Sequence, residues 1–294
     1  MADLGILAAR AEIVRKIRAF FDGQGFLEVE TPVRIAAPAP EEHIDCPPVT
    51  GGGFLRASPE LQMKKLIAAG AERLYQIGPC FREGERGSRH NPEFTMIEWY
   101  RRNATYRAIM DDLRALCTDC LGGVFAGREF AECDVREMYR EHAGWDPWTA
   151  WDQDRFDYDM ATKIEPALAA RGGGVFLTDY PRQAASLARV EGDHAERWEF
   201  YWNGMELANC FTELCDGAEQ RARFLKAKAA RAELGEADYP IDNEFLDRVD
   251  AMESAAGVAL GVDRLVMVML GATAISQVRV GEFLENLALE EEHE

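Results

Sequence analysis

No apolar run in this sequence reaches the length needed to span a bilayer, and the N-terminus, MADLGILAARAEIVRK, lacks a signal-peptide profile. Both absences predict a soluble, cytoplasmic protein with no membrane partner. A disulfide framework is also missing, because the seven cysteines are scattered and odd in number. Cys117 and Cys120 form the one CxxC pair; with no second pair at ligand spacing, they read as two small core residues on a helix. Positive charge is scarce: 33 Lys and Arg face 52 Asp and Glu, for a net charge of −19. A surface that grips a long stretch of tRNA needs basic patches for the phosphates, so this balance opposes stable tRNA binding. The acidic end, Glu290–Glu294, reads as a solvated tail. Core material, by contrast, is plentiful. With 47% hydrophobic residues, a chain of 294 residues can bury a substantial interior.

Periodicity then gives the elements. Ile6, Ala9, Ile13, Ile17 and Phe20 form one stripe of a helix over about Ile6–Phe21, ended by Gly23–Gly25 and followed by a short strand, Phe26–Glu30. Ala36–Pro48 is a Pro-rich loop. In Ser58-Pro59-Glu60 a serine suits an N-cap, a proline N1 and a glutamate the positive end of the dipole, predicting a helix over Glu60–Ala69. Tyr106–Leu121 reads as helical. The stretch at about 124–171 reads as a mostly helical insertion, with Trp145, Trp148 and Trp151 as packing residues. Gly172-Gly173-Gly174 joins it to a strand, Val175–Thr178.

Two segments carry chemistry. Residues 81–100, FREGERGSRHNPEFTMIEWY, run from the end of one strand (Leu74–Phe81) through a charged turn (Gly84–Asn91) into a second strand. Period-two alternation puts Phe94, Met96, Glu98 and Tyr100 on one face, a mixture that makes a poor core and a good pocket. In WEFYWNGMELANCF, residues 198–211, Asn203-Gly204 predicts a two-residue type I′ hairpin. It pairs Trp202 with Met205, Tyr201 with Glu206 and Glu199 with Ala208, so Glu199 and Glu206 emerge on one face. They are either two solvated surface carboxylates or the seat of a cation such as Mg²⁺ bridging phosphate oxygens.

Residues 81–100 resemble motif 2 of the class II aminoacyl-tRNA synthetases of the lysyl branch. Gly25-Phe26-Leu27-Glu28-Val29-Glu30-Thr31-Pro32 resembles motif 1, and Gly257–Arg264, GVALGVDR, resembles motif 3. RASPELQMKKL, HNPEFTMIEWYR and ELANCFTEL are most similar to the elongation factor P–lysine ligase family, paralogues that join a lysine-type amino acid to a protein lysine. The resemblance implies an α+β class II catalytic fold: a mainly antiparallel sheet flanked by helices, one domain over residues 1–294, dimerising through the motif 1 helix. That helix begins almost at once, so no anticodon-gripping β-barrel is expected ahead of it.

By the same resemblance, Arg82 and Arg264 are catalytic, neutralising charge as a substrate carboxylate attacks the α-phosphorus of ATP. ATP would be held by Arg82, Glu83, Gly84, His90, Asn91, Phe94, Glu206, Leu207, Gly261 and Arg264, with adenine on Phe94 under Arg264 and Mg²⁺ on Glu199 and Glu206. Ser58, Pro59, Glu60, Glu98, Tyr100, Asn209, Glu213 and Ala259 would form the amino-acid pocket. Glu98 and Glu213 would take the side-chain ammonium of lysine, and Glu60 the amino group near the carboxylate. Asn209 and Glu213 have the opposite parity to Glu206, so all three can serve only if the strand carries a bulge between Glu206 and Glu213. The chain departs from lysyl enzymes at two points. Arg82-Glu83-Gly84-Glu85 replaces Arg-Asn-Glu, leaving Glu83 or Glu85 to stand in, and Ala259 replaces a glycine, which suits (R)-β-lysine over α-lysine. The leading expectation is a ligase for elongation factor P; a minimal synthetase with another acceptor and a lysine- or ATP-binding regulatory paralogue are the competing ones.

Overall fold

The structure, a computed structural model, describes residues 3–42 and 44–280; the acidic tail Glu290–Glu294 lies outside them. Helix α1 (Leu4–Gly23) opens on Asp3, whose side chain accepts from the Gly5 N–H, and its apolar stripe buries Ile13, Ile17 and Phe21. In chain order there follow β1 (Leu27–Glu28), β2 (Arg34–Ile35), β3 (Phe54–Leu55), α2 (Glu60–Ala68), β4 (Arg73–Phe81), β5 (Glu93–Arg102) and α3 (Tyr106–Ala115). Then come β6 (Ala131–Asp134), α4 (Val135–Met138), α5 (Gln153–Asp159), α6 (Glu165–Arg171), β7 (Gly174–Pro181), β8 (Val190–Glu191), β9 (His194–Trp202) and β10 (Met205–Thr212). The last are α7 (Gly217–Leu234), α8 (Asn243–Arg248), β11 (Ala255–Gly261) and α9 (Val262–Leu270).

A nine-stranded sheet in the order β1-β4-β5-β11-β10-β9-β7-β6, with β8 beside β9, organises the chain. Its pairings are antiparallel except β1 with β4 and β6 with β7. The expected α+β class II architecture is therefore present. Segment 124–171 is mostly helical but also supplies β6, an edge strand of the main sheet, which its helical pattern concealed. Its tryptophans pack: Trp145 donates to Asp159 at 2.8 Å, Trp151 lies against Phe156, and the Arg136 guanidinium sits over Trp148. All seven cysteines are free, and Cys117 is buried in the core beneath α1. Among the described residues no helix is long and apolar enough to cross a membrane.

The sheet's two faces divide the labour by parity. Ile97 and Trp99 of β5, Val258 and Leu260 of β11, Ala208 and Cys210 of β10, and Trp198 and Phe200 of β9 point into one core with α1, α3 and α9. Each such side chain contributes about 1.5–3 kcal/mol when fully buried. The alternate residues face the other way. There the register sets out a grid: Glu98, Ala259, Asn209 and Glu199 lie side by side across β5, β11, β10 and β9. The next row reads Tyr100, Gly257, Phe211 and Arg197.

The Asn203-Gly204 turn has φ of 48° and 74°, the positive values a type I′ hairpin requires. Trp202–Met205 and Tyr201–Glu206 pair as expected, but the register shifts between Glu206 and Ala208, so Glu199 faces Asn209 rather than Ala208. The extra residue, Leu207, is the anticipated bulge. It returns Glu206, Asn209 and Phe211 to one face.

Gly257 is where a side chain cannot be accommodated: a Cβ there would lie 2.2 Å from the Tyr100 ring. Gly257→Ala should destabilise the fold by about 1–3 kcal/mol through overpacking, and displace Tyr100. Denaturant unfolding of the variant checks the first effect and a change in the near-ultraviolet tyrosine signal the second.

Candidate active site

The grid face forms the floor of a cavity of about 860 Å³. Ser58, Glu60, Arg82, His90, Asn91, Phe94, Glu98, Tyr100, Glu199, Glu206, Leu207, Asn209, Glu213, Ala259, Gly261 and Arg264 all line it. Three expected residues do not: Pro59, Glu83 and Gly84. Pro59 is the N-cap residue of α2 and is buried in the wall, which corrects the expected cap. Ser58 acts from one position earlier, its Oγ accepting from the Glu60 N–H at 2.9 Å. After Arg82 the alternation turns Glu83 away, its N–H donating to the Asp45 carbonyl at 2.8 Å. Gly84, at φ 74°, reverses the chain and brings back Glu85, which lines the cavity and pairs with Arg82 at 3.2 Å.

One end of the cavity is rich in carboxylates. Glu98 is 1% exposed and accepts from Ser58 Oγ at 2.5 Å and Tyr100 OH at 2.9 Å. Burial, then the charge of Glu60, pushes its carboxyl up to about 7. Glu213, just past β10, is pushed up to about 8 by burial, against the opposing pull of Lys64. Its Oε2 stands 2.5 Å from the Lys64 ammonium as an ion pair, while its buried Oε1 has no partner. Nothing in the sequence reading pointed to Lys64. The signal was its position four residues after Glu60, on the same helical face.

The other end gathers cations. Arg82 lies over the Phe94 ring at 5.2 Å, and its buried Nε has no hydrogen-bond partner. In this ligand-free chain Arg82, rather than Arg264, covers that ring. Arg264 sits in the first turn of α9, donating to the Glu206 carbonyl at 3.0 Å and reaching His90 Nε2 at 2.5 Å. Burial and the Arg264 charge hold the imidazole of His90 below its ordinary value, so it meets that guanidinium as a neutral ring. The neighbouring Asp263 fixes this helix start: it pairs with Arg10 of α1 at 2.6 Å and Arg279 at 2.8 Å, and accepts from the Thr95 N–H at 2.7 Å. One buried carboxylate thus ties together all three motif segments. Between the two ends, Glu199 accepts from Arg197 at 2.5 Å and Tyr201 at 2.6 Å. Glu206 is pushed up to about 7 by its enclosure and by Glu199. Arg197 was also missed, although it shares the period-two face of Glu199.

A family model for class II tRNA synthetases (D, K and N) matches residues 4–280. The chain belongs to that class II family. Members similar to it include proteins from Histophilus somni (strain 2336), 36% identical with 94% of each chain covered, and Vibrio cholerae, 36% identical with 96% of each covered. A third, from Actinobacillus succinogenes, is 37% identical with 94% of each covered. All three are named elongation factor P–(R)-β-lysine ligase. Class II membership with ligase relatives implies ATP use.

In this class II enzyme the carboxylate end sets a pH dependence with a definite sign. Glu98 and Glu213 favour the protonated form in the empty pocket, with midpoints of about 7 and about 8. An ammonium ligand needs them ionised, so binding must expel protons at low pH. Affinity for an ammonium ligand should rise by up to about a hundredfold per pH unit below about 7, by about tenfold per unit between about 7 and about 8, and level off above about 8. Calorimetry across that range in buffers of differing ionisation enthalpy measures both the slope and the proton release.

Proposed function

We propose that the protein is an ATP-dependent ligase that activates (R)-β-lysine, and lysine less well, as an adenylate and joins it to a lysine ε-amino group of elongation factor P. The observation that carries the reading is the polarity of one cavity. A buried, unpartnered guanidinium donor, Arg82 Nε, lies at one end, and a buried, unpartnered carboxylate oxygen, Glu213 Oε1, lies at the other. An amino acid with a carboxylate at one terminus and an ammonium at the other satisfies both. The shared name of the relatives supports the choice of β-lysine and of elongation factor P.

In this reading Arg82 offers a planar fork to the α-phosphate and the substrate carboxylate together, holding two anions at attack distance. His90, Asn91 and Arg264 enclose the phosphates, and Phe94 supplies the adenine platform. Glu85, not Glu83, stands in the cavity for the usual motif 2 carboxylate. Ser58 and Tyr100 aim the two oxygens of Glu98 at the substrate ammonium. Glu199 and Glu206 suit Mg²⁺. They share a face, Glu199 drives up the Glu206 pKa, and two carboxylates leave coordination positions for phosphate oxygens and water. Bound there, the ion would offset phosphate charge. Dimerisation through α1, whose Leu4 is 83% exposed, and a cytoplasmic setting belong to the same proposal.

Three outcomes test it. Arg82→Ala should fold normally yet lose amino-acid-dependent pyrophosphate exchange by about a thousandfold, chiefly in turnover, as expected for a group that stabilises developing charge. Wild-type-like exchange would remove Arg82 from the chemistry. Ala259 lies between Glu98 and Asn209 in the floor, so Ala259→Gly removes a methyl from the wall. The ratio of exchange with α-lysine to that with (R)-β-lysine should rise about tenfold. Mass spectrometry of elongation factor P and of tRNA after incubation identifies the acceptor directly; a mass gain on tRNA alone overturns the ligase assignment.

A further inference from the structure

Lys64 stands behind the amino-acid end of the cavity, in contact with two carboxylates that line it, although no role has been assigned to it. It is 2% exposed, and its ammonium lies 2.5 Å from both Glu60 Oε1 and Glu213 Oε2. Its neighbour Lys65 takes the usual course for a helix lysine, pairing with Asp242 and Glu244 at the surface side. Withdrawing an ammonium from water costs several kcal/mol unless it is well paired, so a lysine kept here needs a reason beyond helix packing. The carboxylates whose charge bears on Lys64 all line the cavity: Glu60 on α2, Glu98 on β5, Glu213 beyond β10 and Glu41 on the Pro-rich loop.

We propose that Lys64 is a built-in counter-ion of the amino-acid pocket, a positioning residue that holds Glu60 and Glu213 to one ammonium and matches the pocket's charge to a substrate carrying two ammonium groups. The inference deepens the lysine-type reading above and rests on it. Apart from Glu41 on the rim, three carboxylates, Glu60, Glu98 and Glu213, face this end, and the Lys64 ammonium offsets one of them. Two negative charges remain for a diamino acid with two ammonium groups. An amino acid with a single ammonium leaves one buried carboxylate uncompensated, and is disfavoured for that reason as much as for shape. Lys64 also holds Glu60 and Glu213 to one point. Both carboxylates are thereby fixed in place before the substrate arrives.

The test reads titration as well as activity. In ligand-free protein with ¹³C-labelled glutamate, Lys64→Met should raise the midpoint of Glu213 by about one pH unit, the loss of one close opposite charge. KM for (R)-β-lysine or lysine in pyrophosphate exchange should rise about tenfold at neutral pH and recover above the shifted midpoint, with kcat there within about threefold of wild type. Lys64→Arg, which keeps the charge, should retain the wild-type midpoint. An unchanged Glu213 midpoint in folded Lys64→Met overturns the inference. Should that variant not fold, ¹⁵N spectra of the wild-type lysines decide: Lys64 should keep its proton far above the range of a solvated lysine, and shift when lysine is added. A signal that titrates like a surface lysine, or ignores the amino acid, is the contrary result. Absence of exchange by the wild type with every lysine isomer would sink the functional reading instead, while the ligand-free titration would still judge Lys64.

Discussion

A sheet can carry a deep cavity on one face only where the strand beneath it has almost no side chains there. β11 meets that demand with Gly257, Ala259 and Gly261 at alternate positions, while Val258 and Leu260 between them hold the opposite core. Tyr100 exploits the same economy, its ring occupying the space above Gly257. Bulky residues in this row would fill the floor on which Glu98, Asn209 and Glu199 now stand. The two-faced alternation of the neighbouring strands fits the same layout: β5 and β10 send Trp99 and Cys210 into the core, and Glu98, Tyr100, Asn209 and Phe211 to the cavity.

On that floor the charges are arranged by sign rather than mixed. Arginines gather at the nucleotide end and carboxylates at the amino-acid end, with Glu199 and Glu206 between. Enclosure strengthens each of these interactions relative to water, and it also makes uncompensated charge expensive. The raised carboxyls of Glu98, Glu206 and Glu213 express that cost in the empty enzyme. Substrates of the proposed kind, bringing two ammonium groups and a cation-bound polyphosphate, would relieve it by supplying opposite charge to carboxyls that burial makes costly to ionise.

Much of this was legible in the sequence because it depended on local rules. Helix α1, the strands flanking the motif 2 turn, the Asn-Gly hairpin and the bulge all followed from periodicity, turn chemistry or a parity conflict between Glu206 and Asn209. What escaped depended on distant partners. The edge strand β6 pairs with β7 some 40 positions on, and its four residues carry too little pattern to stand out from the helices around them. Glu83 was placed in the site because the sequence does not show which way a turn residue points. Lys64 read as an ordinary helix lysine, since its burial comes from Glu213, a residue far along the chain. Asp263 and Arg197 escaped for the same reason: a buried ion pair is a property of two segments, and one segment cannot announce it.

The bulge at Leu207 has a consequence for how β10 can vary. It acts as a phase shift, reversing the alternation once, so Glu206 on its near side and Asn209 and Phe211 on its far side belong to the same face. Substitutions along the strand leave that phase untouched. Loss or gain of one residue anywhere between Glu206 and Glu213 would restore or double the reversal, turning either the phosphate-end or the ammonium-end side chains into the apolar core. The strand that joins the two halves of the site therefore tolerates changes in spelling far better than changes in length.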